Sequence, residues 1–177
     1  MATALIGLGA NLGDREETLR RAIGEIGSLG KVTAVSSLYE SEPVGYLAQP
    51  RFFNAALVLE TALSPRELMA GLLRIEEHLG RTRSFPNAPR TIDLDLLIVD
   101  AVVADDPFVT LPHPRLHERA FVLGPLAEIA PEVVHPRLAR TIEALRDALP
   151  AGQGIVHGRP RGWESTPPDV AEPRTPG

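Results

Sequence analysis

Apolar positions along this chain switch between two periods, and the switches mark its elements. Residues 4–9, Ala-Leu-Ile-Gly-Leu-Gly, predict a first strand whose glycines mark a turn or a close backbone approach. Leu19, Ala22, Ile23, Ile26 and Leu29 then follow helical spacing. Asp14 is placed to cap that helix, Glu17 to complete a capping box, and Gly30 to end it. Residues 32–39 predict a second strand, Glu40 to Gln49 is turn-rich, and Phe52 to Thr61 predicts a third strand. Ser64-Pro65-Arg66-Glu67 starts another helix, with Leu68, Leu72, Ile75 and Leu79 on one face and Gly80 at its end. A loop over 81–91 leads into an acidic strand, a turn at Asp100-Ala101 and short strands within 102–111. Residues 120–130 and 141–149 read as helices, the first disturbed by Pro125.

The order β-α-β-β-α-β predicts an α+β fold, a ferredoxin-like split βαβ sheet with helices packed on it and extra C-terminal helices. Residues 1–150 are expected to form one domain. From Ala151 the chain loses its periodicity and fills with glycine and proline, so 151–177 reads as a disordered tail.

Composition narrows the chemistry. The 177 residues are 44% apolar, enough for a substantial core, and contain no cysteine, so thiolate metal sites and cysteine catalysis are excluded. A net charge of −5 argues against a nucleic-acid surface. The N-terminus has no basic, long apolar leader and the chain no membrane-spanning stretch, which predicts a cytoplasmic protein. Of 18 basic residues only Lys31 is lysine, and it sits in no Walker A loop; there is also no Asp-Phe-Gly segment. If the protein handles ATP, arginines hold the phosphates.

The densest candidate chemistry is Pro89-Arg90-Thr91-Ile92-Asp93-Leu94-Asp95-Leu96-Leu97-Ile98-Val99. On a strand Asp93 and Asp95 share a face, roughly 6.5–7 Å apart. Ile92, Leu94, Leu96 and Ile98 point to the other side, and Leu97 and Val99 continue the Asp face as apolar residues. Two like charges at the mouth of a buried sheet repel each other and lose solvation, and a divalent cation relieves both costs. Hard oxygen ligands on a short strand suit Mg²⁺, which completes its shell with water and substrate phosphates. Arg81, Arg83 and Arg90 lie close by in sequence. Taken alone, an Asp-x-Asp equally fits a strand end whose acids pair with nearby arginines.

Other segments add to that strand. They are Gly7-Leu8-Gly9-Ala10-Asn11-Leu12-Gly13-Asp14, Ser36 to Gly45, Gln49 to Ala56, Ile75-Glu76, Gly80-Arg81-Thr82-Arg83, and Leu111-Pro112-His113-Pro114 through Arg119-Ala120-Phe121. In this order, over about residues 4–136, the chain resembles the 6-hydroxymethyl-7,8-dihydropterin pyrophosphokinases of folate synthesis. The resemblance implies transfer of pyrophosphate from ATP to the pterin hydroxymethyl group, with release of AMP. It implies two Mg²⁺ ions held with ATP by Asp93 and Asp95. Arg81, Arg83, Arg90 and His113 match catalytic positions; with Glu76 and Arg119 they also match the ATP site. Ser41, Glu42, Val44, Phe52, Asn54, Phe121 and Asp95 match the pterin site, Phe52 and Phe121 as stacking rings and Asn54 as the reader of the ring edge. A monomer is expected, with ATP and the pterin as partners and neither nucleic acid nor membrane.

Two departures stand out. Many members carry Arg-Trp before Gly-Pro-Arg in the arginine loop, whereas Pro86-Asn87-Ala88 precede Pro89-Arg90 here and the loop is one residue shorter. Phe85 is the available aromatic in place of the missing indole. Pro114 follows His113 where some members have tyrosine. The competing readings are another Mg²⁺-dependent phosphoryl transferase and a nucleotide-binding ferredoxin-like module without turnover.

Overall fold

A computed structural model describes residues 1–11, 13–42, 51–80, 92–151, 153 and 155–165. Strand β1 (Ala2–Ala10) leads into helix α1 (Arg15–Ile26), where the Asp14 side chain accepts the Glu17 N–H. The helix ends at Gly27, three residues before the expected Gly30. Strands β2 (Lys31–Val35) and β3 (Leu38–Ser41) replace the single strand expected over 32–39. Both pair with β4 (Phe52–Thr61), so they are one strand interrupted at Ser36-Ser37. The interruption has a local cause: the Ser37 N–H and hydroxyl both donate to the Glu128 carboxylate instead of joining the ladder.

Helix α2 (Pro65–His78) starts in a complete capping box between Ser64 and Glu67. It is followed by β5 (Asp93–Val99), a small hairpin of β6 (Ala104–Asp105) and β7 (Thr110–Leu111), a 3₁₀ turn (Leu116–Glu118), and helices α3 (Ala120–Ile129) and α4 (Ile142–Asp147). Helix α3 runs through Pro125. The main sheet is antiparallel in the order β5-β1-β4-β3 with β2 also on β4. Helices α1 and α2 bury Leu19, Ile26, Leu68 and Leu72 with Ile6, Leu8, Leu57 and Leu94 on one sheet face. Helices α3 and α4 bury Leu123, Leu126, Ile142 and Leu145 with Leu5, Ala56 and Leu97 on the other.

The acidic strand departs from simple alternation. Ile6 pairs with Leu96, but Leu5 pairs with Ile98, so Leu97 is a bulge. Beyond it the parity reverses: Ile98 joins Leu97 in the core under α3, and Val99 joins the core under α1 and α2. The expected facing of Ile98 and Val99 is therefore corrected, while Asp93 and Asp95 lie before the bulge and keep their common face.

The disordered tail is also corrected for 155–165. Strand β8 (Ile155–Arg159) pairs with β3 and extends the sheet. Trp163 is 2% exposed, packs in the core under α1 and donates its indole N–H to the Ser36 carbonyl at 2.8 Å. Arg20 donates to the Trp163 carbonyl, and Arg159 pairs with Glu16 at 2.8 Å, both of them on α1. The segment lacks a periodic face because it contributes one ring and one edge strand rather than a helix.

Glu76 on α2 is 3% exposed, and its carboxylate accepts the Leu94 N–H at 2.8 Å. Strand β5 ends the sheet on this side, so a helix side chain takes an amide that no strand pairs. This bond places the Glu76 carboxylate at the backbone of Leu94, between Asp93 and Asp95 in sequence.

Two stability outcomes follow from these contacts. Trp163→Ala should cost about 3–5 kcal/mol in chemical denaturation, from the lost ring and its cavity. Glu76→Ala should cost about 1–3 kcal/mol by orphaning the Leu94 amide, and Glu76→Gln, which keeps an acceptor oxygen, should cost less.

Candidate active site

Three strands build the floor of one cleft. Gly9 of β1 pairs with Asn54 of β4 on one side and Asp93 of β5 on the other; Gly7 likewise lies between Ala56 and Asp95. All six residues occupy the α3 face of the sheet by alternation. The two glycines place bare backbone beside the two carboxylates. A Cβ on Gly9 would come 3.5 Å from the Asn54 Oδ1 and 3.7 Å from the Phe52 ring, and one on Gly7 would come 3.3 Å from Leu97. Any side chain on Gly9 would thus grow into the space that Asn54 and Phe52 border. The Gly-x-Gly spacing in β1 was the signal for this floor, and only the register shows what it opposes.

The cleft holds about 630 Å³ of space with its open mouth included. It is lined by Ser41, Glu42, Phe52, Asn54, Asp93, Asp95, Arg119 and Phe121 among the expected residues, with Gly7, Gly9 and Val122 added by the structure. Phe52 and Phe53 divide by parity: Phe52 lines the cleft, and Phe53 packs against the opposite core. Asn54 is buried and its amide nitrogen donates to the Ser41 hydroxyl at 2.6 Å, which orients the amide within the wall. Glu42 at the mouth pairs with Arg51 at 2.6 Å. The Arg119 guanidinium carbon stands 5.5 Å from the Phe121 ring centroid, a cation–π arrangement that holds a charge and a flat apolar surface side by side.

His113 lies just outside this lining. Its backbone N–H donates to the Leu97 carbonyl at 2.8 Å, which ties it to the bulge of the acidic strand. Burial pushes the His113 pKa below its ordinary value, helped by the positive charge of Arg119 and opposed by Asp93. The shift favours the neutral ring. Its Nδ1 accepts the Arg115 N–H at 3.3 Å, which leaves the proton on Nε2 as a donor. Arg81, Arg83, Arg90 and Val44 lie outside the described residues. Glu76 is placed beneath β5, as above.

Asp93 and Asp95 are the carboxylates that could hold a metal. Among the described residues no group of three or more His, Asp or Glu side chains converges as a metal site would require. The donor set suits a hard ion that takes two carboxylates and draws its remaining ligands from water and substrate oxygens. Among the described residues, no helix is long and apolar enough to cross a membrane.

The family model for 7,8-dihydro-6-hydroxymethylpterin-pyrophosphokinase (HPPK) matches residues 5–131. A 2-amino-4-hydroxy-6-hydroxymethyldihydropteridine pyrophosphokinase of Bacillus subtilis is 46% identical over 132 residues, covering 73% of this chain and 79% of that protein. The folic acid synthesis protein fol1 of Schizosaccharomyces pombe is 37% identical over 154 residues, 86% of this chain but 21% of its own length. A Plasmodium falciparum HPPK-DHPS crystal structure aligns with 82% of this chain and 44% of its own at a TM-score of 0.64 and 17% identity, a likeness of fold. The chain thus spans most of the bacterial relative and less than half of the larger ones. The matched region contains every strand of the cleft floor and the helix that carries Arg119 and Phe121 to it, and on that extent of agreement the chain belongs to the 7,8-dihydro-6-hydroxymethylpterin-pyrophosphokinase family.

Proposed function

We propose that the cleft transfers pyrophosphate from ATP to 6-hydroxymethyl-7,8-dihydropterin, the pyrophosphokinase step of folate biosynthesis, with the residues named here in the following roles. The observation that carries this reading is the single row Asn54–Gly9–Asp93 across three strands, which sets an amide for a heterocycle edge and an anion for a metal two strand spacings, roughly 10 Å, apart on one floor. The sheet itself is best classed as ferredoxin-like. With β2 and β3 counted as one interrupted strand, β4 separates the two strands joined by α1, and β1 separates the two joined by α2.

Phe52 and Phe121 hold the faces of the flat pterin, and stacking adds about 0.5–1.5 kcal/mol to burial. Asn54, fixed by Ser41, reads the polar ring edge; a substrate lacking those groups would forgo the hydrogen bonds that the oriented amide offers. Asp93 and Asp95 hold Mg²⁺, two ions with ATP, which supply charge neutralisation for the triphosphate when bound. Arg119, from the start of α3, and His113, from beside the acidic strand, hold phosphate oxygens. Arg81, Arg83 and Arg90 take further phosphate contacts, and Val44 and Glu42 line the pterin end, as the family resemblance implies. The pterin hydroxyl oxygen attacks the β-phosphorus; the bond from that phosphorus to the bridging oxygen of the α-phosphate breaks; the hydroxyl proton is released and AMP departs. Positioning and charge stabilisation carry such a step.

Incubation with ATP, Mg²⁺ and the hydroxymethyl dihydropterin should yield AMP and the pterin diphosphate in equal amounts. ADP as the nucleotide product would replace this reading with a different phosphoryl transfer. Asp93→Asn and Asp95→Asn should each lower turnover by at least about a hundredfold at saturating Mg²⁺ and ATP, since each removes an anionic ligand from the metal. Both should fold. Relief of like-charge repulsion should leave the metal-free melting temperature equal or higher. Turnover within a few-fold of the parent in both variants would make the pair structural.

A further inference from the structure

The match to the family ends at residue 131, yet the chain continues and returns to the cleft. The N–H of Ala120, the first residue of α3, donates to the Gln153 Oε1 at 2.7 Å. The Gln153 Nε2 donates to the Glu118 carbonyl at 3.0 Å. These two bonds bracket Arg119 from both sides along the backbone. The amide can satisfy both only in one orientation, since a flip would set donor against donor and acceptor against acceptor. Arg119 provides no side-chain cap to its own helix, so Gln153 supplies that cap from 33 residues away.

The segment reaches the other wall as well. Gln153 accepts the Ile155 N–H at 2.9 Å, and Ile155 pairs with Ser41, the partner of Asn54. A Cβ on Gly124 of α3 would lie 3.4 Å from the Ile155 side chain, so Ile155 packs directly on the helix. Residues 153 and 155 thus span from the wall that carries Arg119 and Phe121 to the wall that carries Ser41.

We propose that Gln153 is a positioning residue for the pterin end of the cleft, setting Arg119 and Phe121 by clamping the backbone on either side of Arg119. This rests on the reaction assigned above. Gln153 touches neither substrate nor metal in that arrangement. It acts through the start of α3, where a shift of the backbone by a fraction of an ångström moves both a guanidinium and a stacking ring. Removing the clamp should weaken substrate capture more than it weakens the fold, because Gln153 is itself exposed and its loss leaves no cavity.

The test compares Gln153→Ala and Gln153→Glu with the parent chain, in steady-state turnover and in amide exchange. Gln153→Ala should raise the pterin KM about five- to tenfold with a much smaller change in kcat, the signature of weakened binding. Gln153→Glu keeps an acceptor for the Ala120 N–H and should recover part of that loss. In a Phe121→Ala background Gln153→Ala should add less than about twofold to the pterin KM, because the stacking ring it positions is gone, while Arg119 acts on phosphate. Exchange at Ala120 should quicken in Gln153→Ala while the central strands stay protected. An unchanged pterin KM in folded Gln153→Ala, a full additional loss in the Phe121→Ala background, or unchanged exchange at Ala120 would each overturn the proposal. The exchange measurement needs no turnover. A parent chain that makes no AMP would therefore defeat the reaction assigned above while the clamp is still tested at Ala120.

Discussion

The register of β1 between β4 and β5 is the constraint on which the cleft depends. Gly9 must stand between Asn54 and Asp93, and Gly7 between Ala56 and Asp95, for an amide and two carboxylates to share one floor. A slip of one residue would turn the acids into the core under α1 and α2, at the cost of buried charge. Alternation holds this register from the apolar side: Ile6, Leu8, Leu57, Leu59, Leu94 and Leu96 all require the opposite face. The carboxylates are thus held in place chiefly by their apolar neighbours. The bulge at Leu97 then lets the same strand sink into the core under α3 and carry the backbone bond to His113.

The cleft walls are assembled from distant parts of the chain. Glu128 on α3 takes the Ser37 amide and the hydroxyls of Ser37 and Tyr39, so the helix that carries Phe121 is tied to the strand that carries Ser41. Burial, with the Glu128 carboxylate alongside, raises the Tyr39 pKa well above its ordinary value, which keeps that hydroxyl a donor at any working pH. Trp163 seals the break between β2 and β3 by bonding the Ser36 carbonyl. On the other side of the sheet, Glu76 ties α2 to the strand of the acids. The bonds to the Ser37 and Leu94 amides and to the Ser36 carbonyl give unladdered backbone groups a side-chain partner from another layer.

Much of this was legible in the chain. The Asp-x-Asp of β5, the capping box at Ser64, the third strand from Phe52 to Thr61 and the helix after Asp14 all rest on local rules of period and capping, which neighbours in sequence decide. The residues expected to gather around the pterin, Ser41, Glu42, Phe52, Asn54 and Phe121, do line one cleft with the acids. The arginines of 81–91 and Val44 lie outside the described residues. The bond from the Leu94 amide to Glu76 was not legible, because a buried carboxylate beside a strand edge and an exposed one look alike in sequence.

The sequence by itself determined which segments become strands and helices, which face of each is apolar, and which motif carries the acids. Periodicity encodes these, because a side chain's face follows from its place in a local repeat. Only the tertiary structure decided that two glycines lie across from two aspartates, that a bulge reverses the facing of Ile98 and Val99, and that the segment after Ala151 adds a strand and a buried tryptophan. Strand register, bulges and edge pairing join residues far apart in the chain. Their energies belong to the packed layers, so no local pattern records them.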